Sequence, residues 1–461
     1  MKQIISKTLK TSLLFILSAT LLASCAEPVT LIDFIGDASE EKLDFNGYVF
    51  TIKTAWENFW NPLASDELED NVALSAKQDA IIKHNKTVME KYNCTITSIT
   101  SVWDFATNVL AEIGSGASKY SMFDSASMFS YNAMKSGLLY PWDYSGIDLT
   151  DYEKYGTEQY LKGAEVDGLH YGIWAYKWEA EIEYRGMVIV NNNLLKNYID
   201  VNVHELKESG KWTFDGFKTV LEACTVNIGA DPIYPLSCYD IQMFALCSMI
   251  ANGGSLIEYN EAKGKYEMGL LSAKSREGLE YAQDLYNSDL VQIDDTQMGT
   301  FIEAQKAAFA LCESWNLTYA LKEMDNLDVI TFPYGPSAEY GKTVSAYRSN
   351  QIRYLSTPIT EDIEQLGKFV NVWFEELEDM PKENIIDEYK TIRFFNDESM
   401  NENTFMADFA IYDYGTAINE VYSSNVVSAL TLIVSSNAGV TESVASQQAI
   451  IQAEIDKNLN N

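Results

Sequence analysis

Aromatic rings at short spacings are the part of this sequence best suited to chemistry. Trp174, Tyr176 and Trp178 alternate with Ala175 and Lys177. Read as a strand, the alternation puts three rings on one face, either a ligand-facing wall or a layer of core. Trp56 and Trp60 follow the alternating run Tyr48-Val49-Phe50-Thr51-Ile52. Loops after the carboxyl ends of parallel strands are where open α/β sheets hold ligands, although a core or edge position is the other reading for each ring. An aromatic face stacks on an apolar C–H face such as that of a sugar ring. Asp, Asn and Arg nearby supply planar hydrogen-bond partners for its hydroxyl edges. With 9 Trp and 28 Tyr, the chain is rich in the first ingredient.

Catalytic signatures are missing by comparison. A glycosidase or lyase needs two positioned carboxylates, and 67 Asp plus Glu select no pair. No GxSxG, Walker loop, GxGxxG or calcium-loop pattern occurs. The three histidines, His84, His170 and His204, lie far apart without an HExxH spacing, so neither a histidine metal site nor a cofactor is expected. After Cys25 come Cys94, Cys224, Cys238, Cys247 and Cys312, with no CxxC pair. Their apolar flanks favour buried thiols, with a Cys224–Cys238 bridge left open. A formal net charge of −34 excludes nucleic acid and binding flat on an anionic membrane.

The elements that must position these residues begin after an export segment. Lys2, Lys7 and Lys10 precede an apolar stretch from Leu13 to Leu22, which ends in Leu22-Ala23-Ser24-Cys25. A basic start, a short apolar core and small residues before a cut describe a secretory signal over residues 1–24. The apolar part is roughly a dozen residues, short of the ~20 that cross a bilayer as a helix. Leu-Ala-Ser-Cys resembles the lipobox of bacterial lipoproteins, which implies a lipid on Cys25 and a tether over 25–44. The expected location is therefore the extracellular face of the cell membrane. Beyond it, β-branched and alternating runs near 48–52, 94–99 and 121–123 alternate with helical patterns over 74–92 and 103–113, the latter ended by Gly114-Ser115-Gly116. Such alternation predicts a parallel sheet covered on both faces. Thr213 is placed to cap a helix with Trp212 stapled on Phe217, and Ser275 to open another. No internal repeat or β-sandwich spacing supports an adhesive or structural lipoprotein.

Several segments, in order, resemble the family 1 extracellular solute-binding proteins, the sugar receptors of ABC importers. They are Ser136-Gly137-Leu138-Leu139-Tyr140-Pro141-Trp142-Asp143, Asp167-Gly168-Leu169-His170-Tyr171-Gly172-Ile173, Met187 to Lys196, Trp212 to Phe217, Ala251-Asn252-Gly253-Gly254-Ser255, Lys306 to Leu317 and Phe332-Pro333-Tyr334-Gly335-Pro336-Ser337. Trp174 stands where the family usually has proline. The resemblance implies an α/β, two-lobed periplasmic-binding-protein-like fold of type II, with a ligand cleft between lobes joined by hinge strands. Lobe 1 would take residues 45–182 and 345–400, and lobe 2 residues 183–344 and 401–461. The chain would cross near Glu183 and return near Val344. The resemblance also implies a monomeric receptor, not an enzyme, that delivers a mono- or oligosaccharide to ABC permease subunits. An enzyme acting on carbohydrate, or a receptor for a non-sugar solute, is the alternative. By position, the resemblance makes Ser125, Ser127, Asp240, Phe244 and Trp315 ligand contacts, Trp315 by stacking. Tyr347 and Arg348 stand on the return strand where the family usually has small residues, a departure that narrows the pocket or adds a charged contact.

Overall fold

The computed structural model describes residues 43–54, 76–100, 111–116, 119–126, 130–178, 183–197, 199–225, 227–228, 231–293, 298, 300–302, 304–342, 345–349, 351–356, 362–408, 410 and 425–460. The span Gly47–Asn461 forms one compact unit, and within it the strands fall into two main sheets.

Strand β1 (Tyr48–Thr54) pairs in parallel with β2 (Cys94–Thr100), which follows helix α1 (Ala76–Tyr92), and with β3 (Met122–Ala126). Helix α2 (Tyr131–Lys135) and the short strands β4 (Leu139–Tyr140) and β5 (Gly172–Ile173) complete this stretch. The chain then enters the second sheet through β6 (Glu183–Asn191). Eight consecutive buried residues follow Glu183, so β6 is covered on both faces, as a central strand is.

The second lobe continues with α3 (Phe214–Ala223), β7 (Tyr234–Cys238), α4 (Ile241–Ala251), the hairpin β8 (Ile257–Asn260) and β9 (Lys265–Met268), α5 (Ala273–Asn287), β10 (Val291–Ile293), β11 (Ala307–Glu313) and β12 (Leu327–Thr331). Its strand order is β10-β7-β11-β6-β12: β7 is parallel to β10 and β11, and β6 runs antiparallel to β11 and β12. Strand β13 (Ala346–Ser349) also pairs with β6, and β14 (Gln351–Ser356) then enters the first sheet beside β3, giving the order β2-β1-β3-β14-β4. Residues 346–349 thus pair along β6, and the next strand pairs in the first sheet.

Helix α6 (Ile363–Trp373) packs on the first sheet, where Phe369 stacks on Phe50 at 3.7 Å and the Trp373 indole donates to Asn85 at 2.8 Å. After α7 (Lys382–Arg393), helix α8 (Asp397–Asp408) lies on β12 and β6, and α9 (Asn425–Ser435) and α10 (Val440–Leu459) pack on α4 and α5. At its end α10 reaches the first lobe: the Tyr131 hydroxyl donates to the Asn458 carbonyl, and Leu459 and Ile257 pack on the core around Tyr131, Phe123 and Tyr354.

Local signals worked where side chain and backbone agree. Thr213 caps α3 by accepting from the Gly216 N–H at 3.2 Å, and Trp212 packs on Phe217. Helix α5 begins three residues before the expected start, because Ser272 caps it and Ser275 is buried beneath the Ala251–Ser255 turn. That turn needs its glycines: Gly253 has φ +76, and a Cβ on Gly254 would meet Ser275 at 2.6 Å. Among the described residues no helix is long and apolar enough to cross a membrane.

Candidate functional site

Both crossings between sheets lie beside the start of β6, where Glu183 is in register with Ser349 and Arg185 with both Ala346 and Glu313. The antiparallel β6 thus brings Arg185 to the carboxyl end of β11, next to the end of β7. Ligands of open α/β sheets bind outside this edge.

Here the buried strand β11 ends in a charged residue. The Arg185 Nε donates to Glu313 Oε1 at 2.8 Å, and the Trp315 indole Nε1 donates to Glu313 Oε2 at 2.5 Å. Glu313 also caps the short turn Ser314–Asn316: its side chain accepts from the Asn316 N–H, while Asn316 Oδ1 accepts from the Glu313 N–H at 3.0 Å. Ser314 accepts from the Tyr184 N–H at 3.2 Å. Arg185 and Glu313 are each 8% exposed, and Ser314 and Asn316 are buried; of this turn, Trp315 alone reaches partly into solvent.

Asp240 caps α4 from the end of β7, its Oδ1 accepting from the Met243 N–H at 2.5 Å. Burial holds its carboxyl above the ordinary aspartate range, against the pull of that N–H and of Arg185, and Glu313 adds to the rise. Behind it, burial pushes the Cys238 and Cys312 thiols well above the usual range. Cys224 and Cys238 are both free, so no bridge joins them, and the other three cysteines are buried free thiols too. The carboxyl edge of the first sheet carries Thr54 at the end of β1 and Asp124 and Ser125 near the end of β3, all buried. Among the described residues no group of three or more His, Cys, Asp or Glu is placed to hold a metal ion.

The residues singled out from sequence divide accordingly. Trp315, Asp240 and Ser125 lie at the two carboxyl edges, and Tyr347 and Arg348 lie on β13 between the crossings. Trp56, Trp60, Ser127 and Cys25 fall outside the described residues. The strand read into Trp174, Tyr176 and Trp178 is corrected. The chain leaves β5 at Ile173 and turns through a short 3₁₀ helix at Tyr176–Trp178, so strand alternation does not apply. Trp174 is buried against Tyr184, Met187 and the far face of the second sheet, whereas Trp178 donates to the Glu375 carbonyl and packs on Trp373 in the first lobe. Tyr176 is partly exposed, with the Lys382 ammonium over its ring. Phe244 is likewise a core residue, fully buried against Phe332. Arg185 and Glu313 were missed; the signal for Glu313 was an acid closing the apolar run Ala307 to Cys312, two residues before a tryptophan.

Two sheets of this order, linked by paired hinge strands, define the two-lobed periplasmic-binding-protein fold. The fold is shared with solved structures of low sequence identity. One is a cyclic α-maltosyl-1,6-maltose binding protein from Arthrobacter globiformis, at 12% identity and TM-score 0.65, covering 89% of this chain and 100% of that one. Another is the GacH receptor of Streptomyces glaucescens, solved unliganded and with acarbose, at 14% identity and TM-score 0.59, covering 89% and 99%. A third is an ABC substrate-binding protein from Listeria monocytogenes in complex with cycloalternan, at 12% identity and TM-score 0.61, covering 88% and 98%. No family model matches the sequence, and no curated protein matches it.

Proposed function

We propose that this protein is the solute-binding receptor of an ABC importer and takes a carbohydrate, a mono- or oligosaccharide, between its lobes. The observation that carries the reading is Trp315. It is the one partly exposed residue of an otherwise buried turn, at the ligand edge of the second sheet and beside both crossings. A partly exposed tryptophan there can offer a flat apolar face, which suits the C–H face of a sugar. The sugars named for its structural neighbours support the same class.

The lobes act as a binder rather than an enzyme. Glycoside hydrolysis needs one carboxyl group to give a proton and a second to attack or activate water. At this edge Glu313 is held in an ion pair and Asp240 in a helix cap. The division into lobes follows the sheets: residues 47–178 with β14 and α6 make the first, and 183–349 with α8 to α10 the second. A lipid on Cys25 and a tether over 25–44 keep the receptor on the outer face of the membrane, where the closed form docks on permease subunits. Differential affinity for the closed arrangement drives closure.

The test is a titration of the purified protein with a sugar panel, read by tryptophan fluorescence and melting temperature. A sugar at a hundred times its Kd adds about 2.7 kcal/mol of stability. A response to peptides or polyamines but to no sugar overturns the carbohydrate assignment, and turnover of a sugar polymer overturns the binder.

A further inference from the structure

We propose that Glu313 is a positioning residue: it fixes the plane of the Trp315 ring, so that this tryptophan meets a ligand with its face and never with its N–H. The proposal deepens the receptor reading, and rests on it for the identity of what stacks there.

An indole has one hydrogen-bond donor, and its ring rotates about two side-chain bonds unless packing or that donor stops it. Trp315 is only partly buried. Its donor is already committed, with Nε1 at 2.5 Å from Glu313 Oε2. Glu313 is in turn fixed from the other side by the Arg185 Nε on Oε1 at 2.8 Å and by the Asn316 N–H. Each carboxylate oxygen therefore has its own donor from a different direction, and the carboxylate cannot swing without breaking an ion pair that is 8% exposed on both sides. The result is a chain of support from the core strand β6, through Arg185 and Glu313, to the partly exposed tryptophan. A ring pinned in this way loses little freedom on binding, and ordering a free side chain is one of the costs that binding must offset. It also narrows chemistry. With the N–H turned inward, the ring selects a ligand for a flat C–H face and does not ask it for an acceptor.

The experiment labels the tryptophans with 5-fluorotryptophan and assigns the Trp315 fluorine resonance with W315F. Glu313→Gln keeps the shape but turns one of the two accepting oxygens into a donor, so the tryptophan loses its hold or Arg185 does. The expected result in the ligand-free protein is a shifted or broadened Trp315 resonance. Arg185→Lys, which keeps a cation on Glu313, leaves that resonance sharp. With maltotetraose as the probe, Glu313→Gln weakens binding about tenfold, and Glu313→Gln combined with Trp315→Ala binds no more weakly than Trp315→Ala alone. An unmoved fluorine resonance in Glu313→Gln, or additive losses in the double variant, overturns the proposal. Should the unmodified protein bind no sugar, the carbohydrate reading falls while the ligand-free fluorine spectrum still decides the positioning role.

Discussion

At the carboxyl ends of its parallel strands the first sheet carries Thr54, Asp124 and Ser125, and the second carries Arg185, Asp240, Glu313 and Trp315. The two edges share a topology but are held together differently. On the first, small polar groups are buried, and the nearby Lys53–Glu112 pair is one-sided, with Lys53 buried and Glu112 at 40% exposure. On the second, both members of the Arg185–Glu313 pair are buried and Glu313 holds the partly exposed Trp315. The second edge is thus the one that carries a doubly buried ion pair.

Breaking the two ion pairs in parallel tests that contrast and gives the largest expected effect. Removing one partner of a buried pair strands the other charge, at about 3–5 kcal/mol. Arg185→Met is expected to cost that much in urea unfolding, and Arg185→Met with Glu313→Leu to recover most of it. Lys53→Met leaves Glu112 in contact with water, so its cost is expected near the 0–1 kcal/mol of surface pairs. Equal losses in the two single variants would erase the distinction between the lobes.

How far each edge was legible in the sequence follows the same division. Thr213 and Trp212 announced α3 because a cap and a staple are local features, complete within six residues. The alternation of strands and helices likewise announced a parallel sheet, and β1 to β3 form one. Trp174 and Trp178 misled because periodicity states that residues share a face but not that the segment is a strand. The chain turns at Ile173, and the two rings enter cores on different lobes. Arg185 and Glu313 are 128 residues apart and meet through strand register alone, which no local pattern reports. Trp315 could be placed by its position after a buried run, but the group that orients it could not.

A smaller effect is expected where the lobes touch. The Tyr131 hydroxyl of the first lobe donates to the Asn458 carbonyl at the end of α10, which belongs to the second. One such bond contributes about 1 kcal/mol net. If it forms in the closed arrangement and not in the open one, Tyr131→Phe weakens ligand binding about fivefold and raises the ligand-free radius of gyration in X-ray scattering. Unchanged affinity with a lower melting temperature would mean that the contact persists through the motion, and that the second lobe is not released by opening.

The smallest expected effect concerns charge at the second edge, and it depends on pH. Burial raises the Asp240 pKa in the folded state above its unfolded value. Between those two values the folded protein holds a proton that the unfolded chain has lost. Stability from this group therefore falls as pH rises through that window and is constant above it. Asp240→Asn keeps the side-chain oxygen that accepts from the Met243 N–H, since asparagine caps helices as well as aspartate does. It removes the titration and the cost of holding a buried negative charge. The stability difference between Asp240→Asn and the unmodified protein is accordingly expected to favour the variant at neutral pH, and to shrink as pH falls below the aspartate range. A variant that is less stable at neutral pH would show that attraction to Arg185 outweighs burial. The second edge would then have three mutually supporting charges in place of one pair and a tolerated cap.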